Sequence, residues 1–367
     1  MIHSTAICKK GDTINELTDV GFLTGLFGDI VSIEKQILKT SGFSGSNHEK
    51  ITLHLAKGDI VSLVLKRVVP SKDMTIWRSG NVVDREVRLI ESEELKDVWN
   101  IIQSPYVAYA KEGEDSALLM LDLSDSLFPD VREPIGIEQE DLMLLTLSRL
   151  HTKFWERKMV STSWLTNDQM FFDFLAPQSG AEVKNAGRDH PIFTAVQAGW
   201  HLAFQLMPPE LRSFVLEPPT GEMLADLPRT LIHGDSKLAN FAILRNETVS
   251  AFDWTVVAYA CPAIEIGWYI AVNASRLARP KEKVLHQYHQ FLQRELDKEI
   301  SDATWHRMMN VAIMAGARML LWNKALNVEK NIAGAKEEWV WWIEELKKTK
   351  IQDTRYKIQI IRNEKGE

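Results

Sequence analysis

The segment LIHGDSKLAN at 231–240, followed by FAILRNETVSAFDW at 241–254, decides how the chain reads. An apolar strand entry, Thr230 to Ile232, leads into a loop where Asp235 and Asn240 stand five residues apart. Residues 241–244 and 249–252 are short apolar runs around a polar turn, Arg245-Asn246-Glu247, and read as a hairpin. A hairpin of that size returns the chain to its starting level, so Asn240 and Asp253 meet at its two mouths. An amide oxygen and a carboxylate are hard donors suited to Mg2+, which takes few protein ligands and completes its shell with phosphates. Asp235 is placed to accept a proton from a hydroxyl nucleophile, and Lys237 to neutralise charge on a phosphoryl group in transit. Base, cation and two metal ligands are the parts that phosphoryl transfer needs. Taken singly, His233-Gly-Asp235 is a turn and Asn240 a cap. Taken together, behind a strand and ahead of a hairpin, they specify chemistry.

Outward from this segment the chain changes character near residue 124. Upstream, 30–39, 50–55 and 59–69 read as strands, the last (DIVSLVLKRVV) most strongly, and 117–123 (ALLMLDL) as a buried strand. Between the first two lies a small-residue turn, SGFSGSN at 41–47, and Arg85 to Leu95 reads as a helix. Downstream the pattern is helical: 138–158, 282–299 and 303–326 carry apolar stripes at helix spacing. The expected class is α+β, with a small β-rich N-terminal lobe at 1–123 and a larger, mainly helical lobe at 124–346. Residues 347–367 hold seven Lys/Arg and three acids and read as a charged, solvated tail.

His233-Gly-Asp235-x-Lys237-x-x-Asn240 with Phe252-Asp253-Trp254 resembles the catalytic loop and metal segment of the aminoglycoside phosphotransferase and choline kinase-like family. These are small-molecule kinases with the protein-kinase-like two-lobe fold. The likeness extends to Ser62-Leu-Val-Leu-Lys66 as the nucleotide-lysine strand and Arg85-Glu86-Val87 as the start of the paired helix. Residues 117–123 resemble the hinge strand, and Leu147-Ser-Arg-Leu-His151 the first helix of the large lobe. The resemblance implies that Lys66 holds the α/β-phosphates, oriented by Glu86, and that Gly42, Ser44 and Gly45 belong to the loop over the phosphates. It implies ATP, with GTP left open, as phosphoryl donor, Mg2+ on Asn240 and Asp253, Asp235 as base and Lys237 as a γ-phosphate contact. The acceptor is a hydroxyl of a small molecule. Two departures stand out: Leu121 where many relatives have an acidic hinge residue, and Glu265, within CPAIEIGW at 261–268, where the family has Asp. Neither removes a catalytic group; in the family the acid at this place braces the catalytic loop, and whether the longer Glu265 moves that loop stays open at this point.

Composition bounds the alternatives. The 367 residues, 45% apolar and 25% charged, suit a globular protein, and a net charge of −7 argues against nucleic acid as the main partner. Two cysteines, Cys8 and Cys261, make neither a disulfide framework nor a four-thiolate zinc site, so a reduced, cytoplasmic setting is expected. Residues 255–274 carry one charge in twenty, but Pro262 and Glu265 at their centre favour buried core over a membrane span. His151 sits on an apolar helix stripe and reads as a core histidine, and Cys261 as an inert thiol. The alternatives to a kinase are a nucleotide-binding pseudokinase serving as an interaction module and, more remotely, a metal-dependent hydrolase using His233 and Asp235.

Overall fold

Alternation organises the first part of the chain. In IVSLVLKRV, residues 60–68, Leu63 and Leu65 are fully buried on one face of the strand, while Val64 and Lys66 point to the other. The computed structural model describes residues 8–38, 45–161, 163–217 and 221–365. They fall into two compact units, one formed by 1–131, 159–165 and 238–257, the other by 132–158, 166–237 and 258–367.

The first unit opens with β1 (Lys9–Lys10), α1 (Val20–Phe27), β2 (Ile30–Leu38), β3 (Asn47–Leu55) and β4 (Ile60–Val68). Then follow α2 (Met74–Arg78), α3 (Arg85–Glu91), β5 (Tyr106–Glu112) and β6 (Asp115–Leu121). The strands form one sheet in the order β1-β5-β6-β4-β3-β2, antiparallel except for β1 against β5. One sheet face, with Ile51, Leu53, Leu63, Leu65 and Leu119, packs on Leu17, Phe22 and Leu23 from the helical segment before β2. That leaves the opposite face for polar groups: the register sets His48 of β3 beside Lys66 of β4. The helix expected at Arg85 to Leu95 stops at Glu91, because Ser92 takes an extended backbone and its hydroxyl accepts from Leu95 N at 3.2 Å.

The second unit begins with α4 (Ile137–Lys153), the short helices α5 (Met170–Asp173) and α6 (Ser179–Asn185), the longer α7 (Pro191–Leu206), and the short α8 (Pro209–Leu216) and α9 (Gly221–Leu224). Strand β7 (Thr230–Ile232) precedes the hairpin of β8 (Phe241–Ile243) and β9 (Val249–Ala251), which itself belongs to the first unit. The chain closes with β10 (Ala258–Ala260), α10 (Pro262–Val272), α11 (Lys281–Glu295), α12 (Asp302–Glu329) and α13 (Ala335–Lys365). The expected α+β class and its succession of a sheet-bearing and a helical part are observed. No described helix is long and apolar enough to cross a membrane; α10 is an eleven-residue helix with Glu265 fully buried. Helix α13 runs on through the residues read as a tail. Buried Trp342, Leu346 and Thr349 recur at helix spacing, and Lys347–Glu344 (2.8 Å) supports the solvent face.

Helices α10 and α12 cross at small residues. A Cβ on Gly267 would lie 2.1 Å from the carbonyl oxygen of Ala312, and one on Gly316 would lie 2.7 Å from that of Gly267. Backbone approaches backbone there, which fixes α10 and everything it carries.

Candidate active site

In the first unit the site is built on one buried ammonium. Lys66 is 4% exposed, and its Nζ donates to Glu86 Oε2 at 2.6 Å and to Asp253 Oδ1 at 2.8 Å. Burial alone would lower its pKa, but the carboxylates of Asp253 and Glu86 outweigh that, and the lysine titrates above its usual range. Glu86 is held in turn by the hydroxyl of Tyr106, which donates to Oε1 at 2.8 Å. Burial, then the Glu86 charge, pushes the Tyr106 phenol well above its ordinary value, so it stays a donor. His48, across the register from Lys66, is driven toward the neutral form by burial and then by the Lys66 charge. Asp73 is 1% exposed, caps α2 by accepting from Ile76 N at 2.9 Å, and is pushed up to about 6, chiefly by burial.

The hairpin brings its entering and leaving segments together. Phe241 pairs with Ala251, and Phe252 N donates to Asn240 O at 3.2 Å, so the segment entering the hairpin meets the one leaving it. Asn240 is buried, and Asp253 holds a left-handed backbone at φ 64°, a conformation that non-glycine residues adopt at some energetic cost. Its Oδ1 also accepts from Thr255 Oγ1 at 2.8 Å. Among the described residues there is no group of three or more His, Cys, Asp or Glu that could hold a metal ion. A hard-oxygen pair, Asp253 with the Asn240 amide, is a donor set that suits Mg2+ once phosphate oxygens complete the shell.

The second unit holds the loop between β7 and residue 237. Glu265 of α10 reaches into it: His233 N and Gly234 N donate to its carboxylate at 3.2 and 2.8 Å. His151 Nε2 lies 2.9 Å from the same carboxylate, and its Nδ1 is 2.7 Å from the hydroxyl of Tyr288. Glu265 is fully buried and braces the loop, and His151, the core histidine, orients its carboxylate. Asn273 Nδ2 adds a bond to Ser236 O at 3.1 Å. Half-buried Asp235 pairs through Oδ2 with Lys237 Nζ at 2.9 Å, and its Oδ1 accepts from the indole Nε1 of Trp268 at 2.8 Å.

The structure thus brings Lys66, Glu86 and Asp253 together in one unit and Asp235 with Lys237 in the other. Gly42 and Ser44 lie outside the described residues. Gly45 is described, at φ +60°, where a Cβ would lie 2.7 Å from the carbonyl oxygen of Lys72, so its place in the chain demands glycine. Cys261 is buried and pushed up to about 12 by that burial, as an inert thiol should be. Sequence reasoning missed Tyr106 and Trp268. The second carried a signal, since Trp268 lies three residues after Glu265 and therefore on the same face of α10.

No family model matches the chain, and no curated protein matches it in sequence. Among solved structures, the fold is similar to that of a choline kinase from Cryptosporidium parvum, at 12% identity and TM-score 0.49, covering 93% of this chain and 98% of that one. A choline kinase from Streptococcus pneumoniae is similar at 12% identity and TM-score 0.47, covering 92% of this chain and 100% of that one. An aminoglycoside phosphotransferase from Alicyclobacillus acidocaldarius is 11% identical, with TM-score 0.46, over 90% of this chain and 94% of that one. Likeness at this level is one of fold.

Proposed function

We propose that the protein is a kinase that moves the γ-phosphoryl group of a nucleoside triphosphate, ATP in the first instance, to a hydroxyl of a small molecule. The observation that carries this reading is Lys66, buried between Glu86 and Asp253. A buried lysine held by two carboxylates costs desolvation that a purely structural role does not require. The phosphates of a nucleotide would be a natural further partner for that ammonium, and Asp253 would then be available to hold a metal ion. Asp253 and Asn240 would hold Mg2+, which when bound would offset the negative charge of the transfer. Lys66 anchors the ground-state phosphates, and Glu86, fixed by Tyr106, keeps its ammonium aimed. Asp235 takes the hydroxyl proton as the acceptor oxygen attacks, and Lys237 offsets charge on the group in flight. The brace from Glu265 holds the backbone before Asp235, so the base is presented rather than mobile.

The test is a transfer screen of hydroxylated small molecules with Mg2+ and ATP, read by mass. Gain of one phosphoryl group by an acceptor supports the reading. Nucleotide binding without transfer to any acceptor or to water would instead leave a nucleotide-dependent interaction module.

A further inference from the structure

The geometry points to Trp268 as the residue that sets the orientation of the Asp235 carboxylate, a role resting on the proposed function of Asp235 as base. A carboxylate turns about its last side-chain bond with little preference, so its direction must come from its partners. Two of those partners are Lys237 Nζ at Oδ2, 2.9 Å, and Trp268 Nε1 at Oδ1, 2.8 Å. The two partners differ in kind. Lys237 is a flexible cation on the same loop, about a third exposed, and in the proposed reaction it follows the phosphoryl charge. Trp268 is a neutral donor on a rigid element, since α10 is locked against α12 where Gly267 meets Ala312. An indole N–H can only donate, and at any working pH it does not ionise. It therefore marks one oxygen permanently.

A carboxylate offers roughly four lone-pair sites, so the indole hydrogen bond does not by itself close Oδ1 to the acceptor hydroxyl. Glu265 and Trp268, three apart on one face of α10, divide the work: the first holds the backbone N–H groups of His233 and Gly234, the second the side chain of Asp235. Helix α10 is thus a jig for the loop, and Trp268 is a positioning residue whose effect passes through Asp235. Misplacement of a reacting group by about 1 Å can cost on the order of a hundredfold in rate, which bounds what loss of the indole donor should do.

The experiment has a spectroscopic and a kinetic arm on the full chain. The 12 tryptophans give separate indole N–H resonances after nitrogen-15 labelling, and the one lost in Trp268→Phe belongs to Trp268. In Asp235→Asn that resonance should move more than any other indole, because an amide is a weaker acceptor than a carboxylate. For kinetics, hydrolysis of Mg2+-ATP is the probe, water standing in for the acceptor hydroxyl. Trp268→Phe should lower kcat about tenfold with the nucleotide KM nearly unchanged, and should cause no further loss in the Asp235→Asn background. An indole resonance indifferent to Asp235→Asn overturns the inference, as does an equal loss from Trp268→Phe in both backgrounds. Full hydrolysis by Asp235→Asn would instead remove Asp235 as base, and the positioning role would fall with it. Loss in Asp235→Asn with full kcat in Trp268→Phe would spare the base and reject the role of Trp268 alone.

Discussion

Lys66 and Lys237 are both lysines beside carboxylates, yet their surroundings differ, and the proposed reaction gives them different work. Lys66 is buried between Glu86 and Asp253, whereas Lys237 is about a third exposed and pairs with Asp235. Lys66→Ala should raise the nucleotide KM and lower kcat together, since a ground-state anchor is lost. It should also destabilise the fold, because two carboxylates lose their buried partner. Lys237→Ala should lower kcat more than it raises the nucleotide KM, the pattern of an interaction stronger in the transition state. Steady-state kinetics on the two variants decides the assignment. A pure KM effect at Lys237, or unchanged nucleotide binding at Lys66, contradicts it. Lys66 was legible as a buried, partnered lysine because an ammonium in a run of Leu and Val requires partners. The Trp268–Asp235 hydrogen bond was not legible, because an indole donor on a mostly buried helix looks like any other core aromatic until its N–H is placed.

At the scale of elements, α10 is the piece on which the loop depends, and its position rests on two glycines. Gly267→Ala would set a methyl 2.1 Å from the Ala312 carbonyl oxygen, backbone that cannot swing aside as a side chain can. Overpacking of this kind costs roughly 1–3 kcal/mol or more, so thermal unfolding should come several degrees lower. Activity should fall beyond what partial unfolding explains, as the Glu265 brace shifts. A melting curve identical to wild type would show that the crossing is not under this constraint. The hairpin of β8 and β9 was readable because two short apolar runs flank a polar turn. Helix α1 and strand β5 were not. α1 carries Gly21 and Gly25 within eight residues, and β5 relies on Tyr and Ala, whose alternation is faint. Helix α13 escaped because its lysines hide the buried Leu346 and Thr349 stripe, which only contact with a neighbouring surface explains.

For the whole molecule, Asp73 links the site to stability. Its folded-state pKa of about 6 lies above the ordinary 3.8, mainly through burial, with Lys66 opposing and Asp253 reinforcing the rise. An acid raised on folding contributes stability that is complete below about pH 4 and is lost as pH climbs past 6. Asp73→Asn removes the titration while keeping an acceptable helix cap. The stability of the variant relative to wild type should therefore rise between pH 4 and pH 7, by roughly 2–3 kcal/mol at most. Urea unfolding of both proteins across that range checks it, and parallel profiles would refute the shift.

The central claim is that Asp235 takes the proton of an acceptor hydroxyl, and one paired measurement bears on it most directly. Wild type and Asp235→Asn are each incubated with Mg2+-ATP and a panel of hydroxylated small molecules, with acceptor mass and nucleotide affinity read in parallel. The account predicts phosphoryl transfer by wild type, a loss of about 10²–10⁴ in rate for Asp235→Asn, and nucleotide affinity changed little. Undiminished transfer by Asp235→Asn would contradict it.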